Sequence, residues 1–129
     1  MDYGDILMKR YKGKMLDYSE AFFAFSQEQL EEGMAKIGVT DKSLIVAGPI
    51  NGLCGTNDGI NKFMYSYKNE EENFKKLVKE NCTPQQVYNF EFNNYECGYI
   101  WDDTEAYNAT IYVFGKEIVD AQVKRRCNQ

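Results

Sequence analysis

The chain has 129 residues, 20 acidic and 15 basic, giving a net charge of −5, and its composition is 43% hydrophobic and 15% aromatic. This length predicts a single domain, residues 1–129, and the composition is too apolar for a disordered chain. The sequence contains no histidine, which removes the commonest general base and the commonest metal ligand. We therefore expect a protein that is not an enzyme, with no catalytic residue, no metal and no cofactor.

The pattern of apolar residues argues against a membrane-spanning segment and against a signal peptide. The sequence has no run of about 18 apolar residues, so we expect no membrane span and no membrane partner. The opening segment 1–5 is polar and acidic, unlike the apolar core of a signal peptide.

The four cysteines have no CxxC spacing, and in a reducing compartment we expect free, mostly buried thiols at Cys54, Cys82, Cys97 and Cys127.

The first half of the chain predicts two strands and two helices. Residues 4–16 have the spacing of a short basic amphipathic helix. The apolar runs 21–25 and 44–47 are typical of buried strands. Between them, Ser26-Gln27-Glu28-Gln29 forms a capping box that begins a helix, and Gly38 ends it.

The second half predicts mainly helices. Apolar residues at helical spacing run from Ile60 to Val78, with a pause expected near Lys68-Asn69. Thr83-Pro84-Gln85-Gln86 combines a cap, a proline at the first helical position and a capping box, so a helix should run from there to about Asn94. The remaining predictions are a strand at 97–101, a helix from Asp102 or Asp103 towards Gly115, and a helix over 116–126.

These elements define the expected fold class. We predict a small single α+β domain in which a few short strands pack with about five or six helices. The weakest element is the helix ending at Gly115, because Ile111–Phe114 has strand propensity.

Charge is unevenly distributed along the chain. Seven of the 15 bases lie near the two ends, so residues 15–123 contain 18 acids and eight bases, a net charge of −10. Such a middle repels phosphates and favours a partner protein with a basic, nucleic-acid-binding surface. The alternative is that the acids only keep a small protein soluble.

A glycine-rich loop, 48–59, has the spacing G-x3-G-x2-G-x3-G between a predicted strand and a predicted helix. Its position resembles a phosphate cradle, but it lacks both the Walker lysine and the dinucleotide fingerprint. A surface loop whose glycines supply positive φ is the simpler interpretation. A small-molecule or nucleotide site remains the alternative.

Two acidic clusters are candidates for contact with a partner. The first, Glu70–Glu72, also suits the first turn of a resumed helix. The second places four acids beside a tryptophan, a combination typical of interfaces, although helix capping or a divalent cation would also use it. The predicted partner-binding residues are Glu70, Glu71, Glu72, Glu96, Tyr99, Trp101, Asp102, Asp103 and Glu105.

Two short motifs are distinctive: Phe22-Phe23-Ala24-Phe25-Ser26-x-x-Gln29 and Asn93-Asn94-Tyr95-Glu96-Cys97. They resemble motifs of a family of small uncharacterised proteins from phages and mobile elements of low-GC bacteria. In that family the second motif usually reads Asn-His-Glu-Tyr. Here Tyr95 stands in place of the histidine and Cys97 in place of the final tyrosine, so any chemistry of that histidine is absent.

The resemblance implies a setting for the protein. Small acidic phage proteins often inhibit host defence systems, anti-CRISPR proteins among them, so we expect an anti-defence inhibitor in the cytoplasm of a bacterial host cell. Its partner would be a host protein with a basic surface, such as a CRISPR effector or other defence nuclease, and it would not bind nucleic acid directly. A transcriptional regulator whose basic ends touch DNA is a further alternative.

Overall fold

The computed structural model describes residues 1–13 and 16–127. The chain divides into two compact units: one comprises Met1–Gly13 and everything from Glu72 onward, and the other comprises the segment between them. We describe each unit separately, and the single-domain prediction stays a prediction.

The first unit is helical. It contains helix α1 near the start of the chain and a series of helices after residue 72. The longest helix, α3, begins in the second unit and ends in the first. The helices are α1 (Tyr3–Gly13), α3 (Asn57–Asn81), α4 (Pro84–Asn94), α5 (Cys97–Ile100), α6 (Thr104–Phe114) and α7 (Lys116–Gln122).

The second unit contains a small antiparallel sheet. Its strands lie in the order β1-β3-β2, so β3 is central and β1 and β2 form the two edges. Its elements are β1 (Ala21–Phe23), α2 (Gln27–Ile37), a short 3₁₀ helix (Lys42–Leu44), β2 (Val46–Ala47), β3 (Leu53–Gly55) and the first part of α3.

The fold is α+β, as predicted, with seven α-helices and one three-stranded sheet in the parts of the chain described. The clearest local signals are confirmed. Thr83 and Gln86 form a reciprocal capping box with Pro84 in the first helical turn. Gly38 ends α2 in the left-handed conformation, with φ 74°. Ser26 accepts from the Gln29 N–H, but the Gln29 side chain accepts from the N–H of Phe25 rather than that of Ser26.

The predictions of buried strands are partly wrong. The first strand ends at Phe23, and Phe25 beyond it is 68% exposed. The second is reduced to Val46–Ala47 at one edge of the sheet, and both of its residues are exposed. The central strand β3 lies inside the glycine-rich loop, where no apolar run marks it.

Two predictions in the second half are also wrong. Residues 97–101 form the short helix α5 and a turn, not a strand. Helix α3 continues through Lys68-Asn69 without the expected pause. The weakest prediction is confirmed: Ile111–Phe114 lies in α6. The last helix ends earlier than expected, at Gln122. Helix α1 spans Tyr3–Gly13, and residues 14 and 15 of the predicted helix 4–16 lie outside the described residues.

Each unit has its own apolar core. In the second unit, one face of the sheet packs on α3 through Ala21, Leu53, Ile60 and Phe63. The first unit has two buried clusters. One joins α1, α3, α4 and α6, and the other, centred on Tyr88 and Phe92, lies beneath α5. None of the helices in the described residues is both long enough and apolar enough to cross a bilayer.

Candidate partner-binding site

The first unit exposes several large apolar side chains in the segment 95–102, here called the aromatic turn. Its large side chains point to solvent: Tyr99 is 91% exposed, Trp101 66%, Ile100 62% and Tyr95 46%. Tryptophan and tyrosine are enriched among the few residues that carry most of the binding energy at protein interfaces. A contiguous exposed group of them is therefore a candidate for contact with another macromolecule.

The backbone of the aromatic turn is held in a sparsely populated conformation. Glu96 and Trp101 flank α5, and both have φ 53°; they are the non-glycine residues with positive φ in the described chain. The Tyr99 N–H donates to the Glu96 carbonyl at 3.0 Å, and the Asp102 N–H donates to the Cys97 carbonyl at 3.2 Å. Left-handed backbone costs a non-glycine residue about 1 kcal/mol or more, so surrounding contacts must maintain it.

The first of these contacts is an apolar anchor. Cys97 is fully buried, in a cluster with Tyr88, Phe92, Ala106 and Cys127. Its thiol therefore acts as a small apolar side chain that fixes the start of α5 against α4 and α6.

The second contact is a buried ion pair at the other end of the turn. Asp103 has no exposed surface and accepts two hydrogen bonds from the Arg125 guanidinium, at 2.5 and 2.8 Å. It also accepts from the Tyr88 hydroxyl at 2.6 Å. The bond with Asp103 raises the pKa of Arg125 above its ordinary value. These charge-assisted hydrogen bonds offset part of the cost of burying the carboxylate.

Residues 124–126, here called the C-terminal segment, make further contacts with α4 and with Tyr107 at this end of the turn. The Arg126 N–H donates to the Tyr88 hydroxyl at 2.9 Å. The Gln85 side chain pairs with the Lys124 backbone, accepting from its N–H at 2.7 Å and donating to its carbonyl at 3.2 Å. Arg125 also lies over the Tyr107 ring, 3.9 Å from its centroid. The C-terminal segment is therefore a structural part of the site.

Tyr88 and Arg125 support the turn but are not predicted from the sequence to do so. Arg125 stands there only as one of the basic residues of the run 124–126. This run follows the last predicted helix and Asp103 precedes another, but nothing in their spacing pairs them.

The exposed charges of the aromatic turn are acidic. Glu96, Asp102 and Glu105 are all exposed, and no lysine or arginine occurs between Glu80 and Gly115. The pKa of Tyr95 is raised by burial and then by the negative charges of Glu91 and Glu105. The surface thus combines exposed aromatic rings with carboxylates, which suits a positively charged partner.

The structure places the other predicted residues differently. Asp103 is buried in its ion pair and presents no surface to a partner. The Asp102 carboxylate has a local partner, because it accepts from the Thr104 N–H at 2.9 Å at the start of α6. Glu70, Glu71 and Glu72 lie in the middle of α3, not in the first turn of a resumed helix. The first two belong to the second unit and are half-buried.

The glycines of loop 48–59 have mainly packing roles. A Cβ on Gly59 would lie 2.1 Å from the Glu20 carbonyl oxygen, and one on Gly55 would lie 2.3 Å from the same atom. A Cβ on Gly48 would lie 2.7 Å from Leu53. Only Gly52 has a positive φ, at the turn between β2 and β3. Most of these glycines are thus explained by close packing, not by the loop conformation expected from the sequence.

The cysteines are free, and three of the four are buried. Burial raises the pKa of both Cys82 and Cys127, which makes these thiols poor nucleophiles. The described residues contain no group of three or more cysteine or acidic side chains placed to hold a metal ion.

Comparison with known proteins gives a match to one family profile. No curated protein and no solved structure matches the chain. The profile of a family of unknown function, DUF7659, matches residues 5–127, which include the aromatic turn and all its supports. The chain therefore belongs to the DUF7659 family.

Proposed function

We propose that this protein is a non-enzymatic inhibitor that docks its aromatic turn onto a basic surface of another protein. The observation that carries the proposal is the exposure of Tyr99, Ile100 and Trp101 on a backbone fixed at both ends by buried contacts. A backbone already held in one conformation loses little entropy on binding, which favours affinity.

The acids define the kind of partner. Glu96, Asp102 and Glu105 would speed association with a positive surface and select against acidic ones. The aromatic side chains would supply most of the affinity once they are desolvated. Basic protein surfaces of this kind are typical of nucleic-acid-binding proteins, whose grooves neutralise phosphates.

We propose further that the partner is a host defence nuclease or effector complex. The support for this step is the resemblance of the two motifs to phage and mobile-element proteins, together with the acidic middle of the chain. An acidic inhibitor seated in a basic groove would compete with nucleic acid for the same positive charges.

The proposal is tested with a double variant, Tyr99→Ser/Trp101→Ser, which removes the two aromatic anchors. Proteins retained by the wild type from a lysate of candidate host cells are identified, and their affinity is measured with purified components. We expect the double variant to bind at least 100-fold more weakly, because each aromatic hot spot contributes about 2 kcal/mol or more. Equal affinity of the variant and the wild type would contradict the proposal.

A charge test separates the acidic contribution. Glu96→Lys/Glu105→Lys should weaken binding and reduce its salt dependence, because both charges face the partner. Glu80→Lys/Glu117→Lys makes the same change of net charge on exposed positions of α3 and α7, outside the aromatic turn. If both variants lose affinity equally, the net charge of the chain and not the aromatic turn governs binding.

A further inference from the structure

A groove in the second unit follows the outer edge of strand β1. The cavity has a volume of about 550 Å³, and helix α2 forms one of its walls. Its lining includes residues from both faces of the strand, which places the opening at the strand edge. The residues that matter here are Tyr18, Phe23, Phe25, Gln29, Glu32 and Lys36.

The pairing register shows which backbone groups face this groove. The Ala24 N–H donates to the Gly52 carbonyl at 2.8 Å, and the Thr56 N–H donates to the Glu20 carbonyl at 3.2 Å. Residues 20, 22 and 24 therefore direct their backbone groups towards β3, and residue 23 directs its own groups away. Within the described residues no strand pairs with this edge of β1, and Phe23 is 36% exposed there.

The walls of the groove are aromatic and held in place. Tyr18 and Phe25 are 51% and 68% exposed. Tyr18 contacts Phe23 and Phe63, with ring centroids 6.5 and 5.3 Å apart, respectively. The Phe25 ring lies directly over Gly52, where a Cβ would come within 2.3 Å of it. Such walls can accept an aliphatic or aromatic side chain without rearranging.

The charge around the groove is negative. Helix α2 presents three exposed glutamates, Glu28, Glu31 and Glu32, against a single lysine, Lys36. The segment that forms this unit contains nine acidic and five basic residues. A basic occupant would be favoured by this field and an acidic one opposed.

We propose that this groove binds an extended peptide segment of a partner protein, in which an apolar side chain is flanked by lysine or arginine. The peptide pairs with the N–H and carbonyl of Phe23 as an added strand, and its apolar side chain lies against Tyr18 and Phe25. Glu32 contacts a basic side chain of the peptide. The site is separate from the aromatic turn, so it stands or fails independently of the proposed inhibition.

The test uses a display library of random ten-residue linear peptides selected against the full chain. We expect enrichment of sequences with one aliphatic or aromatic residue between basic ones. The best peptide, made synthetically, is then titrated against the wild type, Glu32→Lys and Phe25→Ser. Each variant should bind at least tenfold more weakly, and Glu117→Lys, an exposed change of equal charge in the other unit, should bind within twofold of the wild type.

Backbone pairing is tested on the peptide itself. Methylation of the amide nitrogen that pairs with the Phe23 carbonyl should weaken binding at least tenfold, because it removes the donor. Thermal unfolding of each variant shows whether it is folded. If Phe25→Ser does not fold, the affinity of Glu32→Lys still decides the test. Failure to enrich any peptide, enrichment of acidic peptides, or full affinity of Glu32→Lys would overturn the proposal.

Discussion

The ion pair between Asp103 and Arg125 makes a specific prediction about stability. Asp103→Ala removes a fully buried carboxylate and leaves the Arg125 guanidinium and the Tyr88 hydroxyl without their acceptor. Breaking a buried, hydrogen-bonded pair by removing one partner costs about 3–5 kcal/mol, and because the remaining Arg125 side chain is 27% exposed, we expect a loss at the lower end of this range. Native domains are stable by only about 5–15 kcal/mol, so this loss is a large part of the total.

The loss is measured by urea unfolding followed by circular dichroism. With a slope of about 2 kcal/mol per molar urea, the midpoint for Asp103→Ala should fall by about 1.5 M or more. Arg125→Met should cost a similar amount. The double variant Asp103→Leu/Arg125→Met should cost clearly less than the two single changes together, because it leaves neither charge buried alone.

The exposed pair Lys76–Glu80 provides the control. Its atoms are 3.9 Å apart, and both side chains are more than half exposed. Glu80→Gln should therefore change stability by about 0.5 kcal/mol or less. If Asp103→Ala costs no more than this control, the inference that the ion pair anchors the aromatic turn is refuted.

Three further predictions concern packing and titration. Gly33→Ala should destabilise the fold by about 1–3 kcal/mol, because the new Cβ would lie 2.1 Å from the Phe22 ring. The control Gly13→Ala should not destabilise it, because no atom lies within 4 Å of the new Cβ. Chemical denaturation measures the free energy of unfolding of both variants. Burial and the bond to Asp103 raise the pKa of Tyr88 to about 12, so the unfolded chain loses this proton first. The melting temperature should therefore fall as the pH rises from about 10 to 12. The melting temperature of Tyr88→Phe should fall less over this range than that of the wild type. Burial raises the pKa of Glu91, so ionisation of Glu91 favours unfolding once the pH rises above the ordinary glutamate pKa. Glu91→Gln should therefore melt at a higher temperature than the wild type at pH 7 and at no higher temperature at pH 4. A lower melting temperature of the variant at pH 7 would contradict this.

Predictions from the sequence succeeded where the signal is local. The capping box at Thr83, the glycine stop at Gly38 and the α+β class all follow from side chains within four residues of each other or from apolar spacing. Predictions failed where tertiary contacts decide. Segment 97–101 has strand propensity, but burial of Cys97 and the Asp103 ion pair impose a helical turn on it.

The candidate site shows the same division. Composition alone predicts a contact surface at 96–105; the structure shows its aromatic residues and three of its four acids exposed, and the contact itself stays a prediction. Burial of Asp103 is not predicted, because an isolated aspartate before a helix is usually an exposed cap. Its partner Arg125 is 22 residues away in sequence, and no local pattern joins them. The sheet was incomplete for a related reason: β3 contains a cysteine and a glycine and takes its conformation from two neighbouring strands.

The central claim is that the aromatic turn is the surface that meets the partner protein. Hydrogen–deuterium exchange of the complex, compared with the free chain, tests it most directly. We predict that amide protection on binding is greatest in residues 95–102 and that loop 48–59 exchanges as it does in the free chain. Protection concentrated in that loop, with none in the aromatic turn, would contradict the account.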